Sequence, residues 1–348
     1  MDTHGSIGVV NQLAFNTRFA SDWLLGKERA DRWRPDRWDA IHRRLLKKTA
    51  NWKDGRVHAV DRVRNISADD FRERYFRTGI PVVLEGAGAD WPAIRKWSPD
   101  YLMQFCGNDE VDVLDGQHWT VSRDAAAVVT TAESRLRVRD LMETVKNGGA
   151  WYGAFLELLD KYADLRSDLD LSFVERYGHT RRRIPWQRNI LAKMYVGGAG
   201  TATSFHCAGV SNLYLQAYGR KKWVLVPAEQ SPFMYPAPQR GINWQSRVDF
   251  RNPDYEACPL YRLADRYETI LEPGDILWNP PFVWHGVANV TESIAVSLWW
   301  INVTRGFSNN FLYSALTLLG RPNPIAMQLG LGGQKAGAKS AFAVHLNQ

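Results

Sequence analysis

Pro273-Gly274-Asp275-Ile276-Leu277-Trp278-Asn279-Pro280-Pro281-Phe282-Val283-Trp284-His285 reads as a turn, a short β-rich run, a proline-stiffened second turn and a histidine at its exit. Pro-Gly-Asp and Asn-Pro-Pro are turn signals, and residues 275–279 between them have strand character. The same alternation extends outward in both directions. Residues 189–196, 212–217, 222–227, 268–271 and 293–302 are β-rich, with Gly197-Gly198, Gly219 and Pro227 as punctuation. Many short antiparallel strands joined by tight turns imply a mainly β fold, a barrel or jelly roll.

The rest of the chain supports this core. Residues 1–75 read as a charged, helical N-terminal extension in which Trp33, Trp38, Ile41, Leu45 and Leu46 form one apolar stripe. The barrel and its supporting helices are expected over 76–304, and a helical, apolar dimerisation tail over 305–348. Gly79-Ile80-Pro81-Val82-Val83-Leu84-Glu85-Gly86 is a buried strand by pattern. Ser98-Pro99-Asp100 opens a helix, with Ser98 as cap and Pro99 in the first position.

Composition limits the function classes. At 45% hydrophobic and 23% charged the chain is an ordinary globular protein. No apolar run approaches the roughly 20 residues that span a bilayer. Met1-Asp2-Thr3-His4-Gly5 lacks the basic-then-apolar start of a signal peptide. Cys106, Cys207 and Cys258 fit no disulfide or zinc pattern, so a reducing, cytoplasmic compartment is expected. The net charge of +7 arises partly from Arg43, Arg44, Lys47, Lys48 and Lys53 and from Arg181-Arg182-Arg183 with Arg188. Interspersed acids make the first cluster a solvated helix face; the alternative is an anionic partner.

The chemistry centres on Ser204-Phe205-His206-Cys207-Ala208-Gly209 and His285. Two His and one carboxylate on one face hold iron in non-haem oxygenases and leave the opposite positions open. His206 is placed on a strand at a barrel mouth, and His285 before a strand. The residue two after His206, where a carboxylate would complete the set, is Ala208. Lys221 is expected on a strand neighbouring His206. If buried it needs a counter-charge, which the carboxylate of an oxo-acid would supply; if not, it is a surface lysine between Arg220 and Lys222.

His206 to Asn212, Gly219-Arg220-Lys221, Val224-Leu225-Val226-Pro227 and Gln245-Ser246-Arg247-Val248-Asp249-Phe250 together resemble the Jumonji-C/cupin-like 2-oxoglutarate oxygenases. Within them the chain looks most like the asparaginyl hydroxylase branch that inhibits hypoxia-inducible factor. Asn252-Pro253-Asp254-Tyr255-Glu256, Tyr267-Glu268-Thr269, Pro273 to Leu277, Pro81 to Leu84 and Asp90-Trp91-Pro92-Ala93 extend the match. It covers roughly residues 65–302. The resemblance implies a double-stranded β-helix, with helical additions at both ends. It also implies Fe(II) at His206 and His285. 2-Oxoglutarate would be held by Lys221 and Thr203, with Asn212 nearby, Tyr152 as a further contact, and Ser297 where the family has Asn. Relatives also dimerise through C-terminal helices, which gives the apolar tail the role of a homodimer contact.

Ala208 departs from the family pattern and leaves three readings open. A halide such as chloride occupies the vacated position, as in radical halogenases that resemble this chain in carrying Ala or Gly there. Chloride restores one negative charge, Gly209 helps keep the space open, and the substrate radical collects halogen instead of hydroxyl. Alternatively water, Asp249 or Glu256 replaces the ligand and the protein hydroxylates or oxidises. In the third reading the barrel binds without chemistry. The expected substrate is an amino acid, a peptide or a related small molecule; a basic rim also suits a carrier-tethered or nucleotide substrate. Trp244, Trp278, Trp284, Trp299 and Trp300 fill the barrel or its rim.

Overall fold

In a computed structural model the described residues are 6–26, 29, 37–116, 134–178, 190–237 and 243–320. Within them the strands are β1 (Val57–Ala59), β2 (Asp61–Val63), β3 (Val82–Leu84), β4 (Glu110–Asp115), β5 (Ser134–Arg137), β6 (Trp151–Leu156), β7 (Leu191–Gly197) and β8 (Ala202–Ala208). They continue with β9 (Val210–Tyr218), β10 (Lys221–Val226), β11 (Pro236–Ala237), β12 (Asn243–Ser246), β13 (Arg266–Leu271), β14 (Ile276–Asn279), β15 (Trp284–Asn289) and β16 (Ser293–Ile301). Two sheets face each other: one in the order β1-β13-β10-β15-β8-β12-β11, the other β2-β3-β14-β9-β16-β7-β6-β4-β5. This is a jelly-roll barrel with helical additions.

Alternation along each strand divides three cores. Tyr214, Trp223, Leu225, Leu277, Val287 and Ala295 point into the barrel. Residues of opposite parity on the nine-stranded sheet, such as Leu213, Leu215, Val296 and Leu298, pack outward under the supporting helices. Opposite parity on the seven-stranded sheet, Phe205, Cys207 and Trp244, packs against Phe15, Phe19, Ile41 and Leu45 of the N-terminal helices Val9–Leu25 and Arg37–Lys48. Arg43, Arg44, Lys47 and Lys48 lie on the exposed side of the second helix, a solvated face.

Two departures from the sequence reading are structural. Residues 57–63, inside the segment read as helical, form β1 and β2, which add in parallel to β13 and β3. Their side chains are mostly exposed, so hydropathy carries no strand signal there; the partners' free edges supply it. The apolar C-terminal helix Phe311–Leu319 is covered by its own chain. Tyr313 is wholly buried, with ring centroids 4.6 Å from Phe19 and 4.8 Å from Trp244. Pro81-Val82-Val83-Leu84 and the Ser98-Pro99 helix start are as expected, Ser98 Oγ accepting the Tyr101 amide. Trp33, Arg181, Arg182, Arg183, Arg188 and residues 321–348 lie outside the described residues. Among the described residues no helix is long and apolar enough to cross a membrane.

Candidate active site

His206 and His285 are cross-strand partners on β8 and β15, and their ring centroids lie 4.1 Å apart. His285 sits within β15 rather than before it. Phe282, at φ 62°, turns the chain into that strand, and its amide donates to Ala208 O at 2.8 Å. A positive φ at an aromatic residue costs of order 1–3 kcal/mol. Here it clamps the ends of the two histidine-bearing strands together.

Each imidazole is oriented by its own backbone. Nδ1 of His206 donates to Ser204 O and Nδ1 of His285 to Val283 O, both at 2.9 Å. A carbonyl only accepts, so Nδ1 carries the proton and Nε2 keeps its lone pair, the arrangement a metal-binding His requires. Asn279 lies 3.3 Å from His285 Nδ1, and Trp223 stacks on the same ring at 5.4 Å. Burial lowers the pKa of His206. It lowers that of His285 well below the ordinary value, with neighbouring His206 adding to the effect. Both rings are therefore neutral and available near pH 7.

Behind this pair lies Lys221, the first residue of β10. β10 adjoins β15, not β8, so Lys221 neighbours the strand of His285 instead of that of His206. The surface reading fails: Lys221 is 0% exposed, while Lys222, pointing outward, pairs with Glu268. Lys221 Nζ donates to Tyr214 Oη at 2.7 Å and lies over the rings of Tyr152, Tyr195 and Tyr214 at 5.8, 5.9 and 5.4 Å. No acidic side chain among the described residues forms an ion pair with it, and burial lowers its pKa to about 7. A buried ammonium with no counter-charge is a receptor for a carboxylate.

The remaining residues expected from the sequence are linked to the tyrosines around Lys221. Tyr152 and Thr203 are side-chain hydrogen-bond partners, and burial pushes the Tyr152 hydroxyl up to about 12. Ser297 Oγ donates to Asn212 Oδ1 at 2.9 Å, and Ser297 also bonds to Tyr195. Tyr195, Tyr214, Trp223 and Asn279 were not singled out by the sequence. Their inward parity follows from register alone.

Ala208 lies two residues beyond His206 on the same face of β8, since Cys207 between them joins the outer core. Gly209 serves a different contact from the one expected: a Cβ there would come within 2.9 Å of the Phe282 ring and 3.3 Å of Thr317. Asp249 and Glu256 do not complete the site. Asp249 pairs with Arg251, Glu256 is exposed, and among the described residues no three His, Cys, Asp or Glu side chains are grouped to hold a metal. Two neutral imidazoles with free Nε2 atoms still fit a divalent transition ion, with fewer protein ligands than the facial set.

A sequence profile of the cupin-like domain matches residues 68–305. The chain is 30% identical over 254 residues to lysine-specific demethylase JMJ30 of Arabidopsis thaliana, covering 72% of this chain and 56% of that protein. It is 27% identical over 242 residues to lysine-specific demethylase 8 of Xenopus tropicalis, covering 70% and 53%. To arginine-specific demethylase JMJ22 of A. thaliana it is 30% identical over 284 residues, covering 76% and 49%. The chain thus spans about half the length of the curated relatives it matches.

Proposed function

Because the chain belongs to the cupin-like domain family, within the Fe(II)- and 2-oxoglutarate-dependent oxygenases, we propose that it oxidises a C–H bond of an amino-acid or peptide substrate. The observation carrying this reading is Lys221, buried and lacking an acidic partner among the described residues, behind two imidazoles with free Nε2 atoms. His206 and His285 hold the metal. Lys221 and Tyr214 bind the distal carboxylate of 2-oxoglutarate, with Thr203 and Tyr152 beside it. When bound, the metal and oxo-acid would activate dioxygen, the oxidant, with two of its four electrons drawn from decarboxylation of the oxo-acid and two from the substrate C–H bond. The tyrosines and Trp223 keep water from the ammonium, which strengthens its hold on the carboxylate. The substrate class follows the relatives' names, demethylases of lysine and arginine.

Ala208 favours a second reading, halogenation, in which chloride lies beside its methyl group and hydroxyl transfer is replaced by halogen transfer. Anaerobic titration with Fe(II) and 2-oxoglutarate, with and without chloride, separates the two. A visible charge-transfer band indifferent to chloride supports oxygenation. A band that strengthens with chloride supports halogenation, and no band overturns both.

Lys221 also sets a pH dependence. Its pKa in the ligand-free protein is about 7, and a bound carboxylate favours the charged form. Affinity for 2-oxoglutarate is expected to fall about tenfold per pH unit above pH 7, with proton uptake on binding. Calorimetry in buffers of different ionisation enthalpy measures both. An affinity flat from pH 7 to 9 would place the carboxylate elsewhere.

The proposed homodimer uses Phe311 and Leu319, the exposed large apolar side chains of the C-terminal helix. Replacing both with Glu is expected to convert the protein to monomer in size-exclusion chromatography. An unchanged elution volume rejects this contact. Truncation after Thr304 is expected to do more, because it strips Tyr313 from Phe19 and Trp244 and destabilises the fold by about 3–5 kcal/mol or more. Cys106, Cys207 and Cys258 are buried and form no disulfide among the described residues, which suits the proposed cytoplasmic setting.

A further inference from the structure

We propose that Gln245 supplies the third protein ligand to the metal, its side-chain carbonyl oxygen taking the part of the carboxylate that position 208 lacks. The inference rests on the metal-site reading of His206 and His285 and deepens it. Three adjacent strands, β15, β8 and β12, bring His285, His206 and Gln245 into one row. His285 is the cross-strand partner of His206 on one side, and Gln245 is its partner on the other. Directly opposed residues of an antiparallel pair share a face, with Cβ atoms about 4.5–5.5 Å apart.

The neighbours fix that face independently. Trp244 pairs with Cys207, and both belong to the outer core, where Trp244 packs on Phe19, Phe282 and Tyr313. Gln245, one residue on, therefore points to the opposite side, into the barrel with His206.

Gln245 is 3% exposed, and its Oε1 has no hydrogen-bond partner among the described residues. An amide oxygen buried without a partner has given up its hydrogen bonds to water and gained none in return, which is destabilising. Coordination of a divalent cation would satisfy its lone pairs. An amide carbonyl is a neutral oxygen donor, so the protein ligand set would carry no net charge where the facial set carries one negative charge. With the third position filled by protein, halide has no role as a metal ligand.

The test uses Mn(II), which resists oxidation, and reads the electron paramagnetic resonance signal of the free ion during titration of the full chain without oxo-acid. Gln245→Leu is expected to weaken Mn(II) binding at least tenfold. Gln245→Glu, nearly the same shape with a charge, is expected to tighten it at least tenfold. Chloride is expected to leave wild-type affinity unchanged. Wild-type affinity in a folded Gln245→Leu overturns the proposal, as does chloride-enhanced binding that persists in that variant. If Gln245→Leu does not fold, an unchanged affinity in Gln245→Glu overturns it instead. His206→Ala separates the two levels: retained Mn(II) binding there sinks the metal site itself, whereas lost binding there with intact binding in Gln245→Leu sinks only the role of Gln245.

Discussion

His206→Ala and His285→Ala each lower affinity for Fe(II) or Mn(II) by at least about 100-fold, measured anaerobically by calorimetry. Losing a partner that merely orients a metal-bound His costs 10–100-fold, and losing the His itself exceeds that when the protein offers few ligands. The two variants are expected to be equivalent because the rings occupy one row, each with Nδ1 bonded to a backbone carbonyl. Full affinity in both would remove the basis of the functional reading. The wild-type rings add a pH signature. Their folded pKa values lie below the ordinary 6.5, so the unfolded chain binds more protons as pH falls through that range, and the metal-free protein loses stability there.

Lys221→Met is expected to separate stability from cosubstrate binding. Removing one partner of a buried charge pair costs about 3–5 kcal/mol, so 2-oxoglutarate affinity falls by about 10²–10⁴-fold while Mn(II) affinity is retained. The ligand-free variant, however, becomes more stable than wild type at pH 6. The wild-type lysine is held at a pKa of about 7, well under the unfolded value of 10.5. Its burial therefore opposes folding fully below pH 7, and the penalty is relieved as pH rises from 7 toward 10.5. The size of that shift places the gain at a few kcal/mol. Thermal unfolding with and without 2-oxoglutarate reads both effects. A variant less stable than wild type at pH 6 that still binds the oxo-acid would refute this role.

The strands β7, β9, β10, β13, β14 and β16 were legible within a few residues, because Gly and Pro punctuation and β-rich runs are local signals. His206, His285 and Lys221 were legible too, as residue types at a recognisable spacing. β1, β2 and β12 were not, because each exists through a distant partner: β13, β3 and β8. Lys221 shows where local reading stops. Between Arg220 and Lys222 nothing in the sequence tells inward from outward; the pairing of β10 with β13 and β15 decides it.

The sequence by itself determined the barrel class, the pair of histidines and the methyl group at position 208, since these are matters of residue type and short-range pattern. Tertiary structure alone decided what surrounds them. It covered the C-terminal helix with the chain's own N-terminal helix, kept Asp249 and Glu256 away from the histidine pair, and set Gln245 opposite His206. Strand register has a period of two, so a one-residue difference in pairing sends every side chain to the other face. That choice is made by contacts between residues far apart in the chain.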